Sequence, residues 1–226
     1  MDRGSWSVEV ILTLLAFKVL YPNHMHLTRG NHESRHLNRV YGFEGEVKSK
    51  YGEKMFEVFQ EVFNLLPLAI VLDKKILVLH GGLSKKENVT LEEIAKIDRD
   101  RDIPDEGLMT DILWSDPMKL PGIASNKRGV GINFGPDVTK RFLDFNNLDL
   151  LVRSHEVKHE GYEVEADGRC ITIFSAANYV DQVGNKGAFI IFKKSENLKP
   201  RFVQFDAAPH PNVPPMAFAS QMLSGM

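Results

Sequence analysis

The chain has a single cysteine, Cys170, among 226 residues. No internal disulfide can form, so a disulfide-stapled secreted scaffold is excluded and a reducing compartment, cytosol or nucleus, is expected. Cys170 lies in Arg169-Cys170-Ile171-Thr172-Ile173, a setting that predicts a buried strand thiol rather than a reactive one. No apolar run reaches the roughly 20 residues that cross a bilayer. Residues 8–20 come nearest, but Glu9 and Lys18 interrupt them. No basic segment or small-residue cleavage site marks them as a signal peptide, and no membrane partner is expected. An excess of one charge is also lacking: 28 Lys and Arg against 30 Asp and Glu leave a formal charge of −2, which argues against a general nucleic-acid binder. No internal repeat or low-complexity tract interrupts the chain.

What is present is a globular balance, 43% hydrophobic and 26% charged, enough for one substantial core. Ser5 or Ser7 is suited to cap a helix that runs to Tyr21, where Pro22 stops it. Val8, Ile11, Leu12, Leu15 and Val19 share one face of that helix. Residues 24–28 read as a short strand, and a mainly helical stretch follows, with Met55, Phe56, Phe59, Val62 and Phe63 as its apolar face. Residues 68–72 and 75–79 predict a hairpin turning at Asp73-Lys74. A short helix is expected over 90–97, an acidic loop over 98–121, and a helix opening at Gly135-Pro136-Asp137 and ending at Phe145. Strands are expected at 148–153, 161–165, 169–174, 188–193 and 200–205, and an extended Pro-rich segment around Pro209-His210-Pro211. The pattern is that of an α/β sandwich.

Three segments end where chemistry begins. Leu27-Thr28-Arg29-Gly30-Asn31-His32-Glu33 offers a neutral oxygen ligand beside a proton donor. Ile76-Leu77-Val78-Leu79-His80-Gly81-Gly82 and Leu150-Leu151-Val152-Arg153-Ser154-His155 each end an apolar run on a histidine. Asn31, His80 and His155 together suggest a metal site at one edge of a sheet, although each histidine alone also reads as a satisfied core residue. Arg3, in an Asp2-Arg3-Gly4 turn, and Arg128, in a glycine-flanked loop, are candidates for bidentate phosphate binding; either also reads as a surface arginine. Tyr179 is suited to donate a hydrogen bond in a cleft, or to pack. His24, His26, His36, His159 and His210 have no comparable setting.

Together Asp2-Arg3-Gly4, Arg29-Gly30-Asn31-His32-Glu33, Tyr41-Gly42-Phe43, His80-Gly81-Gly82, Leu113-Trp114-Ser115-Asp116-Pro117, Arg128-Gly129-Val130, Arg153-Ser154-His155-Glu156 and Ser175-Ala176-Ala177-Asn178-Tyr179 resemble the phosphoprotein phosphatase family. These are the metal-dependent serine/threonine protein phosphatases, and the likeness runs along essentially the whole chain. It implies a metallophosphoesterase (calcineurin-like) β-sandwich of α/β class, flanked by helices and with the N-terminal strands missing. Residues 1–206 would be the catalytic domain, incomplete at its N-terminus, and 207–226 a Pro-rich tail. The implied reaction is hydrolysis of phosphoserine and phosphothreonine in proteins by a hydroxide activated between two metal ions. His32 would protonate the leaving oxygen, with Asp2 fixing its imidazole. Arg3 and Arg128 would clamp the phosphate, Tyr179 would line the cleft, and Asn31, His80 and His155 would hold the second metal.

The departures bear on the same site. The family's upstream Gly-Asp-x-His-Gly, and the Gly-Asp before its Asp-Arg-Gly, have no counterpart here, because Met1 stands directly before Asp2. The resemblance therefore implies two divalent ions (manganese, iron or zinc) in a complete site, but at most one well-formed site in this chain. Ala177 stands where the family usually has Pro, and Val180 where it often has Cys. Two readings follow: a phosphatase acting on phosphoproteins and answering to regulatory proteins, or an inactive form that binds phosphoproteins or regulators without turnover. A third, a phosphatase for nucleotides or small phosphoesters, is disfavoured by the Trp114, Arg128 and Tyr179 segments.

Overall fold

A computed structural model describes residues 1–209 and 211–219. The centre is a five-stranded sheet of β1 (Ala69–Leu72), β2 (Ile76–Leu79), β6 (Leu150–Arg153), β8 (Cys170–Ile173) and β7 (Tyr162–Glu165), in that spatial order. The β1–β2 hairpin turns at Asp73 and Lys74, both at positive φ, as the short polar pair between two apolar runs predicts. β2, β6 and β8 run parallel, whereas β7 is antiparallel to β8. Side chains alternate across the sheet with period two. Leu77, Leu79, Leu151 and Cys170 face a core shared with α5 (Leu91–Ala95), α6 (Leu108–Trp114) and α7 (Pro136–Phe145). Ile76, Leu150, Val152 and Ile171 face the other way, against Ile190, Phe192 and Phe202 on or beside the hairpin of β9 (Gly187–Ile191) and β10 (Arg201–Phe205). The architecture is thus a mixed α/β sandwich, one layer of it a two-stranded ribbon.

A second body of helices stands at the other side of the site. α1 (Ser7–Leu20), α3 (Phe43–Lys50) and α4 (Glu53–Leu65) enclose Val8, Ile11, Phe43, Val47, Phe56, Phe59 and Phe63, while α2 (Arg35–Tyr41) leads into α3. Ring centroids of Phe43 lie 5.2 Å from Phe59 and 5.5 Å from Phe63. The apolar face predicted for α4 is the one that packs here.

Several expectations change. Neither Ser5 nor Ser7 caps α1, whose first amides are taken instead by the fully buried Glu46. The Ser7 N–H donates to Glu46 Oε2 at 3.0 Å and the Val8 N–H to Oε1 at 2.8 Å. A carboxylate from α3 complements the positive end of α1 better than a hydroxyl does. Val19, expected on the buried face, is 82% exposed, because α1 buries mainly its first two turns. Residues 24–28 are not a strand: no neighbouring strand offers a ladder, and the next pairing is Arg29 N–H to Pro67 C=O at 2.8 Å. The acidic loop over 98–121 contains α6, whose Met109, Ile112 and Leu113 are buried. A three-stranded sheet of β3 (Asp116–Pro117), β5 (Ile132–Phe134) and β4 (Ile123–Ser125) was not foreseen, since strands this short carry little periodicity.

The tail is not simply extended. Ser5 Oγ donates to the Pro214 carbonyl at 3.2 Å, the Ala217 N–H donates to Ser5 Oγ at 3.1 Å, and the chain turns where the Ala219 N–H meets the Met216 carbonyl at 2.9 Å. His210 and residues 220–226 lie outside the described residues. No helix among the described residues is long and apolar enough to cross a membrane. Glu46→Ala leaves two buried amides without acceptors and is expected to destabilise the chain by about 1–3 kcal/mol in urea denaturation; an unchanged midpoint would show that α1 needs no such cap.

Candidate active site

The parallel pairing of β2 and β6 sets the site. Their register matches Ile76 to Leu150 and Val78 to Val152, and the Ser154 N–H donates to the His80 carbonyl at 3.0 Å just past the sheet. His80 and His155, each following its strand, emerge side by side with ring centroids 4.9 Å apart. Gly81 is required there, because a Cβ would sit 2.5 Å from the Leu113 carbonyl carbon. The Asn31 loop arrives from the helical side. Asn31 Oδ1 lies 2.7 Å from His80 Nε2, which lies 3.1 Å from His155 Nδ1.

Each of these three atoms can offer a lone pair, and the fold draws them together at the largely buried end of the two strands. Burial, followed by the charge of Arg153, pushes the His80 pKa well below its ordinary value, and burial with His80 does the same for His155. Both imidazoles are therefore neutral at neutral pH, the form that ligates. A metal held at Nδ1 would leave the proton of His155 on Nε2. This Nε2 is the one buried side-chain polar atom without a hydrogen-bond partner among the described residues, and it faces Asp116 Oδ1 at 4.0 Å. One amide oxygen and two neutral imidazole nitrogens are a donor set that suits a divalent ion; among the described residues there is no cluster of three or more His, Cys, Asp or Glu that could hold one.

Beside this trio stands a hydrogen-bonded Asp–His pair. His32 Nδ1 lies 2.7 Å from Asp2 Oδ2, with the Asp2 side chain wholly buried and that of His32 20% exposed. Asp2 and Arg3 both adopt positive φ, a conformation held by the Asp2 carboxylate accepting from the Phe43 N–H at 2.9 Å and by the Arg3 N–H donating to the Tyr41 carbonyl at 3.1 Å. The Arg3 guanidinium stacks 4.1 Å from the Tyr41 ring. Arg128 donates from Nε to Asp116 Oδ2 at 2.7 Å. Tyr179 packs edge-on against Phe174 at 5.1 Å, and burial raises its phenol pKa.

Asp2, Arg3, Asn31, His32, His80, Arg128, His155 and Tyr179 all line a single cavity of about 830 Å³. Sequence reasoning missed Asp116, which lies in the quoted Trp114-Ser115-Asp116-Pro117 segment but received no role. Besides Arg128 it accepts from Arg153 Nη2 at 2.8 Å and Asn126 Nδ2 at 3.0 Å. Burial alone would raise its pKa, but the Arg128 hydrogen bond and the Arg153 charge hold it below the usual carboxylate value. Arg153, fully buried, also donates from Nε to the Gly81 carbonyl at 2.6 Å and from Nη1 to Glu156 at 2.8 Å. The signal that could have found these contacts was the presence of Asp116 and Arg153 in the Leu113-Trp114-Ser115-Asp116-Pro117 and Arg153-Ser154-His155-Glu156 motifs.

An Asn–His–His trio at the strand ends beside an Asp–His pair, with two arginines lining the same cavity, fits a metallophosphoesterase. The chain belongs to the calcineurin-like phosphoesterase family, whose model matches residues 1–159. Among its relatives, human serine/threonine-protein phosphatase 5 is 59% identical over 223 residues, 99% of this chain and 44% of the relative. The Arabidopsis thaliana serine/threonine-protein phosphatase 5 is 60% identical over 99% of this chain and 41% of the relative. A solved Saccharomyces cerevisiae protein serine/threonine phosphatase, described as similar to human phosphatase PP5, superposes with a TM-score of 0.90 at 40% identity, covering 96% of this chain and 71% of that one. The segments 41–48, 134–140, 153–158 and 209–213 resemble this same phosphatase 5 branch most. The chain spans less than half the length of the curated relatives named here. The family implies divalent metal ions.

Asp116→Ala would leave Arg153 and Arg128 short of a buried partner and is expected to cost about 3–5 kcal/mol of folding stability. Urea midpoints check this, and a loss below about 1 kcal/mol would show that the bridge is replaceable.

Proposed function

We propose that this chain removes phosphate from serine and threonine in phosphoproteins. The observation that carries the reading is the convergence of the Asp2–His32 pair, the Asn31–His80–His155 trio, Arg3 and Arg128 on one cavity. Asn31 Oδ1, His80 Nε2 and His155 Nδ1 would hold a divalent ion, for which manganese, iron and zinc all suit the mixed oxygen and nitrogen donors. Such an ion supplies positive charge against phosphoryl oxygens and acidifies water. The residues do the rest. Arg3 and Arg128 bind and orient the phosphate, and Asp116 keeps the Arg128 guanidinium in plane by holding its Nε. Tyr179 closes the cavity against Phe174. Asp2 holds His32 Nδ1, which leaves Nε2 as the position from which a proton passes to the departing serine or threonine oxygen.

We assign residues 1–206 to the catalytic part and 207–226 to the tail, and the cytosol or nucleus as the compartment. Phosphoproteins are the substrates and regulatory proteins the further partners. Binding of phosphoproteins or regulators without turnover is the second reading. It is favoured by one observation: the metal trio contains no carboxylate, so its ligands are all neutral.

The deciding measurement is manganese-dependent phosphate release from a phosphoserine peptide by the purified chain, with bound metal counted on the same sample. Turnover supports the enzyme; saturable peptide binding with no turnover supports the binding module. His32→Ala is expected to lower turnover by about 10²–10⁴-fold at unchanged metal content, as removal of a placed acid does. A parallel loss of metal would make His32 a ligand instead. Arg128→Lys is expected to lower kcat/KM for the phosphopeptide by about 10- to 100-fold, the weight of a lost charge-assisted bidentate contact; unchanged kinetics would remove Arg128 from the phosphate site.

A further inference from the structure

Asn38, on α2, is fully buried, and its amide reaches the acid–base pair from behind. Its Nδ2 donates to Asp2 Oδ2 at 3.0 Å and to the His32 carbonyl at 2.7 Å. Both partners are pure acceptors, so the end of the amide facing them must be the NH₂. The Asn38 carbonyl oxygen is thereby turned toward α4, where Gln60 Nε2 donates to it at 2.9 Å. Gln60 is itself buried, and its amide donates to Asn38 rather than to Asp2 or His32. The Asp2 carboxylate receives three donors in all: His32 Nδ1, Asn38 Nδ2 and the Phe43 N–H.

We propose that Asn38, locked in one orientation by Gln60, is a positioning residue for His32. One amide ties the Asp2 side chain and the His32 backbone together, so the carboxylate and the ring it holds move as a unit. Without Asn38, Oδ2 of Asp2 keeps only the imidazole as donor and the His32 carbonyl is left buried and unpaired. Gln60 contributes at a distance. A carboxylate in its place accepts rather than donates, so the Asn38 amide must turn over. That brings Asn38 Oδ1 against Asp2 Oδ2, oxygen against oxygen. The consequence for catalysis rests on the reading of His32 as the proton donor to the leaving group; the positioning itself does not.

Two variants test this, Asn38→Leu and Gln60→Glu, the second nearly isosteric and remote from the reacting atoms. The first measurement is proton NMR of the ¹⁵N-histidine-labelled chain. A slowly exchanging Nδ1–H resonance of His32, identified by its loss in His32→Gln, is expected in the parent and expected to broaden or vanish in both variants. Its persistence with unchanged shift and exchange in a folded Gln60→Glu chain would overturn the proposal. The second is the leaving-group dependence of kcat. A misplaced acid penalises a phosphoserine peptide, whose alkoxide needs a proton, and spares 2,4-dinitrophenyl phosphate, whose leaving group does not. Gln60→Glu is expected to lower kcat on the peptide by about tenfold or more, the low end of what general acid catalysis contributes, with KM and the activated ester nearly unchanged. Equal losses on both esters would mark a merely structural role and overturn the proposal. Absence of hydrolysis in the parent would sink the acid reading of His32, and the resonance would still decide the role of Asn38.

Discussion

Strands β2 and β6 run side by side in the same direction, and the hydrogen bond from Ser154 to the His80 carbonyl extends their pairing past the sheet. Parallel strands end at one level, and their crossover lies elsewhere, so two residues far apart in sequence leave the same edge together. That constraint brings His80 and His155 into contact, and the rest of the site is assembled around them. The Asn31 loop closes on His80, Trp114 stands edge-on to His155 at 5.7 Å, and Arg153, the last residue of β6, reaches beneath to the Gly81 carbonyl. A shift of one residue in the pairing would turn His80 and His155 to opposite faces.

The ground beneath the cavity is ionic rather than apolar. Arg29 and Arg153 are both fully buried. Arg29 donates to the carbonyls of Glu33, Arg99 and Arg101 and to Asn64 Oδ1, which ties the Asn31–His32 loop to α4 and to the turn before α6. Arg153 meets Asp116 and Glu156. Groups of this kind cost much to desolvate and are tolerated only when every donor is satisfied. They hold loops, which have no ladder of their own, to within hydrogen-bond distance. Unusual backbone also occurs here: Asp2, Arg3, His155, Asn178, Val180 and Asp181 all adopt positive φ around the cavity. For a β-branched residue such as Val180 this is an unusual conformation, and the surrounding contacts must maintain it.

The helical body and the sandwich meet at this cavity. Asp2 belongs to the turn before α1, His32 to the loop before α2, and Asn38 and Gln60 to α2 and α4. The Glu46 carboxylate on α3 holds the first turn of α1, and so holds the chain just after Arg3. The Asp2–His32 pair, built from the helical side, thus faces the Asn31–His80–His155 trio, built mainly from the sheet side.

Much of this was legible in the residues alone. The β1–β2 hairpin, α4, α7 and the late strands follow from local periodicity and turn residues. His80 and His155 stood out because each ended a buried apolar run, and Asp2, Arg3, Asn31, His32, Arg128 and Tyr179 because their short motifs carry chemistry. Residues 24–28 were expected as a strand, yet a strand exists only where a neighbour offers hydrogen bonds, and none does so among the described residues. The cap of α1 was assigned to a nearby serine, since sequence shows local partners; the carboxylate that fills it comes from Glu46, on another helix. Asp116 sat in a motif that did not say what it would hold, and Asn38 and Gln60 carried no local signature, for a polar residue on a helix looks the same whether it faces water or a buried Asp–His pair. The sequence by itself determined which segments would pair or coil and which side chains were able to ligate, donate or clamp. Only the tertiary structure decided which buried amides and carboxylates orient them, because a hydrogen bond between distant segments depends on packing that no local pattern encodes.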